Sequence, residues 1–267
     1  MSENARTKSR LLVKLAGTIV LAGALLAGVL FPWVGGTGLA ARNSSSLLDA
    51  LPGELTDESP AGNSVVLAAD GSVITSFYSN NRIPVAGDQI ADVMKQALVD
   101  IEDSRFYAHN GLDVQGTMRA LLTNVAAGSV QEGGSTLTQQ LVKQTLLQTA
   151  ATPEDRQAAT EQNVGRKLRE ARLALALEEK YSKDEILTRY LNIVYFGEGA
   201  YGIQSAAQRY FSVNAKDLTL PQAAMLAGLV QSPTNDDPIT QPENATTRRN
   251  QVLQRMHNLE HVSDQPE

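Results

Sequence analysis

The sequence contains no cysteine, which excludes a disulfide framework, a thiolate nucleophile and any cysteine-ligated metal. It has only three histidines, and His109 lies far along the chain from His257 and His261, which argues against a multi-histidine zinc centre. Aromatic residues make up 5% of the 267 positions while Ala and Leu abound, a balance that leans towards helix. Net positive charge is lacking as well. A formal net charge of −6 argues against a generic nucleic-acid binder. One stretch, Leu15 to Val34, carries no charge at all.

That uncharged stretch is long enough to cross a bilayer as a helix, at a rise of ~1.5 Å per residue. Arg6, Lys8, Arg10 and Lys14 precede it, with Glu3 the one acid between residues 2 and 14. The basic flank places the N-terminus in the cytoplasm, and Trp33 stands where an interfacial anchor would. A cleaved signal peptide is the competing reading, since Gly38-Leu39-Ala40-Ala41 is rich in small residues. The expected organisation is a basic cytoplasmic tail at 1–14, a transmembrane helix at 15–34, a polar linker at 35–63 and a folded domain at 64–260. The domain has roughly 200 residues, enough for one well-buried core.

The folded part begins with a hairpin signal. Val65-Val66-Leu67 and Val73-Ile74 flank Asp70-Gly71. From there on helical patterns dominate. Asp88 is a candidate N-cap for a helix whose apolar face is Ile90, Val93, Met94, Ala97, Leu98 and Ile101. Glu102 follows at once, so its carboxylate sits at the margin of the core, where partial desolvation raises a pKa. An ordinary surface ion pair with Arg105, three residues on, accounts for the same spacing.

Residues 111–131 mix Leu112, Val114, Met118, Leu121, Leu122, Val125 and Val130 with Gly, Thr and Asn. The stretch suits either a membrane surface or a plain core helix. Gly133-Gly134-Ser135 reads as a tight turn with Ser135 as the N-cap of the next helix. On that helix Thr136, Gln140 and Lys143 fall on one face, with Gln139 beside them. Amides suit sugar hydroxyls and an ammonium suits a phosphate, although a solvated face has the same pattern. Further on, Val164, Leu168, Ala171 and Leu175 form an apolar face, and Arg166, Lys167 and Arg169 surround Glu170. Ser182-Lys183-Asp184-Glu185 is a capping box. Tyr195-Phe196-Gly197 and Tyr201-Gly202 mark a packed turn that would wall a cleft.

Taken together, these segments resemble the peptidoglycan glycosyltransferase domain of class A penicillin-binding proteins and monofunctional transglycosylases. The marks are Glu102-Asp103-Ser104-Arg105-Phe106-Tyr107, Gly133-Gly134-Ser135-Thr136-Leu137-Thr138-Gln139-Gln140 with Lys143, and Arg166-Lys167-Leu168-Arg169-Glu170. Tyr190-Leu191-Asn192 with Tyr195-Phe196-Gly197 continues them, as does the Ala223 to Pro233 stretch.

The resemblance implies a mainly α, lysozyme-like domain with a short N-terminal β-hairpin, held to the bacterial cell membrane by a single N-terminal transmembrane helix with the catalytic domain outside. It implies lipid II and lipid-linked glycan as substrates, and other cell-wall synthesis or division proteins as partners. Glu102 matches the family's general base and Glu170 its second essential acid, thought to assist departure of the pyrophosphate. Asp103, Ser135, Thr136, Gln139, Gln140, Lys143, Arg166, Lys167 and Arg169 fall on its substrate-binding motifs. No cofactor is required by the sequence. A divalent cation, magnesium or manganese, is compatible with the pyrophosphate, though nothing in the spacing forces one.

One position departs from the pattern. Many relatives have an arginine eight places before the second acid, where this chain has Gln162, leaving Arg166 or Arg156 to compensate. The Ser-x-x-Lys and Lys-Thr-Gly motifs of a transpeptidase are absent from the sequence, so the expectation is either a monofunctional enzyme or a fragment of a bifunctional one. A muramidase with a similar cleft and an inactive cell-wall scaffold stand as alternatives. The cationic cluster and the retention of both acids speak for the polymerase.

Overall fold

Asp70-Gly71 turns the chain as the sequence predicts: β1 (Ser64–Leu67) and β2 (Val73–Phe77) form an antiparallel hairpin, with a bulge between Val66 and Leu67. Asp70 accepts hydrogen bonds from the N–H and hydroxyl of Ser72, and Gly71 takes the left-handed φ of 83° that the turn needs. The computed structural model describes residues 60–129, 133–161 and 163–263, all within one compact unit. The expected transmembrane helix at 15–34 and Gln162 lie outside the described residues. Among the described residues no helix is long and apolar enough to cross a membrane.

After the hairpin the fold is helical, as expected. The helices are α1 (Asp92–Glu102), α2 (Val114–Ala127), α3 (Leu137–Gln148), α4 (Pro153–Thr160), α5 (Val164–Lys180), α6 (Lys183–Ile193), α7 (Ile203–Phe211), α8 (Leu220–Leu229) and α9 (Pro242–Asn258). Two short strands, β3 (Asn81–Arg82) and β4 (Ala200–Tyr201), pair in parallel and tie the entry of the domain to the turn after α6. Helix α8 is apolar nearly all round, with Ala223, Ala224, Leu226, Ala227 and Leu229 buried, so it forms the centre against which α1 and α9 pack. A second group is built on α3, which packs against α4, α5 and α6.

Two local expectations change. Helix α1 starts at Asp92 with Ala91 as its cap, and Asp88 sits in a separate 3₁₀ turn, Gly87–Gln89. The Ala91 N–H is taken by the Ala215 carbonyl at 3.0 Å, which fixes where the helix can begin. Helix α3 is capped by Thr136 and not by Ser135. A capping box needs Glu or Gln three residues on; from Thr136 that residue is Gln139, whereas from Ser135 it is Thr138, which cannot reach back. Helix α9 starts at Pro242, since proline at the first helical position is pre-set for the turn.

The largest change is the face that α5 buries. Leu168 and Leu175 are exposed, while Glu170, Leu173, Ala174 and Leu177 point inward. These four stand at i, i+3, i+4 and i+7, an inward stripe with one carboxylate in it.

Candidate active site

Both acids line one open cleft of about 1190 Å³. Glu102 arrives as the last residue of α1 and Glu170 on the inward stripe of α5. Eight Lys and Arg side chains also line the cleft, so an acidic protein presents a locally basic site.

Glu102 is largely buried, with 13% of its side chain accessible. Burial pushes its carboxyl above the usual range. A hydrogen bond from Gln140 and the charge of Arg248 pull it partly back, and the neighbouring Asp103 carboxylate adds to the rise. Gln140 Nε2 donates to Oε2 at 2.9 Å, and Arg248 Nη2 lies 3.9 Å from Oε1. The two oxygens are thus differently dressed: one holds a fixed donor, the other faces a cation at longer range. Arg248 can reach this place because Gly228 lies beneath it; a Cβ there would come within 2.9 Å of Arg248 Cγ.

Glu170 retains 2% of its accessible surface and lies between two cations. Arg166 Nη1 donates to one oxygen, and Lys167 Nζ lies 3.3 Å from the other. Lys167 also donates to the hydroxyl of Ser135, which joins α5 to the glycine turn. A carboxylate this buried needs such partners, which is why α5 turns this face inward.

The other expected site residues fall into two groups. Gln140, Lys143, Ser135, Arg166 and Lys167 line the cleft with polar atoms near its space, and Lys143 is exposed. Thr136 and Gln139 line it too, but their polar groups close the capping box, and the Thr136 hydroxyl donates to the Gly111 carbonyl at 2.7 Å. Asp103 is similarly occupied. It accepts from the Leu137 N–H at 3.0 Å, and His109 Nε2 lies 3.1 Å from both its oxygens. It ties the end of α1 to the start of α3. Arg169 is not among the lining residues; its Nε is buried without a hydrogen-bond partner. Arg156 and Arg166, the two cations weighed against Gln162, both line the cleft.

Replacing Asp103 by Ala should therefore loosen the joint between α1 and α3. We expect a loss of about 2–3 kcal/mol, since a buried N–H and a buried imidazole lose their acceptor together. Thermal denaturation checks this.

Sequence reasoning missed Arg248, Arg119 and Arg255 as cleft residues. Arg248 carried a signal: it shares a helical face with Val252 and Met256, both buried, so it is a cation on an inward stripe. Among the described residues no group of three or more His, Cys, Asp or Glu side chains is placed to hold a metal ion.

Two carboxyls, one desolvated and one clamped by cations, thus share a basic cleft on a helical domain, the kind of arrangement used in sugar-transfer chemistry. A family model described as transglycosylase matches residues 70–257. The chain belongs to the transglycosylase family and is a glycosyltransferase. It is 42% identical over 191 residues to penicillin-binding protein 1A of Neisseria flavescens, an alignment covering 72% of this chain and 23% of that protein. Penicillin-binding protein 1A of Streptococcus pneumoniae is also 42% identical, over 72% of this chain and 25% of that one. Penicillin-binding protein 1F of Bacillus subtilis is 37% identical over 75% of this chain and 27% of its own length. The chain thus spans about a quarter of the length of these relatives. A crystal structure of penicillin-binding protein 1A from Haemophilus influenzae aligns with 78% of this chain and 20% of that one, at 21% identity and a TM-score of 0.39.

Proposed function

We propose that this cleft polymerises lipid II into β-1,4 glycan strands, releasing undecaprenyl pyrophosphate, with Glu102 as the general base. The observation that supports it most is the position of Glu102: a desolvated carboxyl, one oxygen held by Gln140, in the same basic cleft as Glu170. Ionised Glu102 takes the proton from the 4-hydroxyl of the acceptor's N-acetylglucosamine as that oxygen attacks the donor's anomeric carbon. The new C–O bond forms on the face opposite the pyrophosphate. The bond to the α-linked pyrophosphate breaks, and the configuration inverts. The charge that develops on the leaving group meets Arg166, Lys167 and Lys143. Glu170 assists by holding Arg166 and Lys167 in place. Gln140 and Ser135 offer hydrogen bonds to the sugar and the phosphates. A muramidase would have no use for this many cations, since its leaving group is a sugar hydroxyl. The test is incubation of the purified chain with labelled lipid II. Polymer is expected, and its absence from well-folded protein in several detergents would sink the reading.

In this proposal the domain works at the membrane surface, tethered by the 15–34 stretch, with the N-terminus cytoplasmic and the cleft outside. Helix α2 supports it. Asp113 caps its start, accepting from the Gly116 N–H at 2.9 Å, and Gly128 ends it in the left-handed region. It buries the small residues Gly116 and Ala120 and exposes Val114, Met118, Leu122 and Val125. These stand at i, i+4, i+8 and i+11, an apolar stripe towards solvent where a soluble helix would carry charge. Leu168 and Leu175 on α5 are exposed as well. Changing Met118 and Leu122 together to Asp should lower polymerisation of lipid II in liposomes at least tenfold, since each buried side chain contributes about 1.5–3 kcal/mol. The rate on detergent-dispersed lipid II should stay within about threefold of the parent.

A further inference from the structure

At the back wall of the cleft, α6 contributes a tyrosine that is almost wholly enclosed. Tyr190 is 1% accessible and packs in the core with Leu187 and Leu191. A buried phenol needs a partner for its hydroxyl. Here the hydroxyl donates to Gln140 Oε1 at 2.7 Å, across 50 residues of sequence, and the same amide donates from Nε2 to Glu102 Oε2 at 2.9 Å. The three side chains come from α6, α3 and α1, one from each helix.

We propose that Tyr190 is a positioning residue for the base: its hydroxyl fixes the Gln140 amide with Nε2 towards Glu102, which occupies Oε2 and leaves Oε1 as the atom that takes the acceptor's proton.

The physical reason is directional. A carboxamide has a donor end and an acceptor end, and only one orientation pairs both when its neighbours are a phenol O–H and a carboxylate. The reverse orientation sets Oε1 against a carboxylate oxygen, two acceptors facing each other in a poorly solvated place. Burial, and then the charge of Glu102, push the Tyr190 phenol well above its usual range, so it stays a neutral donor whenever Glu102 is ionised. The charged and polar groups that face Glu102 are Gln140 on α3, Tyr190 on α6, Arg248 on α9 and its own neighbour Asp103. Of these, Gln140 has the largest downward pull on the carboxyl, so its orientation matters most. Without the phenol O–H, the amide is free to turn its acceptor towards Glu102 or to swing into the cleft. The carboxylate then loses its charge-assisted bond.

This inference rests on the reading of Glu102 as base, and the experiment separates the two. In the full chain with ¹³C-labelled glutamate, the Glu102 titration is followed by NMR and assigned by the signal that Glu102→Gln removes. Tyr190→Phe should move that titration upward by about one pH unit, the size of a lost charge-assisted hydrogen bond. The acid limb of the polymerisation profile should move with it, while the rate on the alkaline plateau falls less than about threefold. Gln140→Leu should move the titration at least as far. The double variant should move it no further than Gln140→Leu alone, because Tyr190 acts through Gln140. Should Tyr190→Phe fail to fold, 3-fluorotyrosine at position 190 decides. Its more acidic hydroxyl should strengthen the chain of bonds and move Glu102 downward. Superposition of the Glu102 titration on that of the parent in the variant tested, or additive shifts in the double variant, overturns the proposal. If the titration moves as expected while Glu102→Gln still polymerises at the parent rate, Glu102 is not the base, and the link between Tyr190 and Glu102 stands.

Discussion

Glu102→Gln should lower polymerisation of lipid II by about 10³-fold, the usual worth of a positioned general base. Glutamine keeps the shape of the side chain and a hydrogen-bonding end for Gln140 and Arg248, so the cleft survives the change. What it loses is the capacity to take a proton. The same substitution should make the fold more resistant to alkaline conditions. The carboxyl of Glu102 is raised in the folded state, chiefly by burial. A raised carboxyl gives the folded state an advantage that is complete below the unfolded pKa and is lost as pH rises through the folded one. Above that window the parent protein carries the cost of ionising a desolvated group, and the glutamine variant does not. Thermal melts should therefore coincide more closely in acid and separate at pH 8, with the variant melting a few degrees higher. A variant that is inactive and more stable at high pH is what a base held against its own preference predicts. An unchanged pH dependence of the difference, or activity at the parent rate, would remove Glu102 from its role.

Gly202→Ala should be the most damaging single change to the fold. Gly202 sits at φ 79° and ψ 155°, a region that L side chains essentially never occupy. A Cβ placed there would lie 2.7 Å from the backbone oxygen of Asn192. Neither side can yield. The Gly202 N–H donates to the Val194 carbonyl at 2.8 Å, and its carbonyl accepts from Ala206 at the start of α7. Asn192 belongs to α6, and its side chain exchanges hydrogen bonds with the backbone of Val85 and donates to the Thr188 carbonyl. Backbone strain and overlap together should cost ~3 kcal/mol or more. For a domain of this size that is a fall in Tm of roughly 6–12 °C. Activity should fall before unfolding, because Tyr201 and Tyr195 line the cleft with their rings 4.8 Å apart. A melt within a degree of the parent would mean the turn can relax in a way the backbone geometry does not allow.

Much of the local structure was legible in the chain. Ser182 with Glu185 and Thr219 with Gln222 each close a capping box, and Thr152-Pro153 opens α4, because these signals act within one turn of helix. The hairpin was legible for the same reason. The face of α5 was not. A helical wheel shows a greasy side at Leu168 and Leu175, and the rule that apolar residues face inward runs one way only: a folded surface keeps much apolar area. The cap of α3 was misplaced by one residue, since Ser and Thr are both good caps and only Gln139 decides between them.

The kinds of residue in the cleft, and the helices that carry them, were set by the sequence alone, because motifs and caps are short-range properties. The tertiary structure alone decided which groups meet. Arg248 comes to Glu102 from α9, Tyr190 orients Gln140 from α6, and Asp103 and Thr136 are drawn into joints of the scaffold. The reason is physical. A carboxyl's proton affinity depends on what surrounds it within a few ångströms, and here that shell is assembled from four helices far apart along the chain.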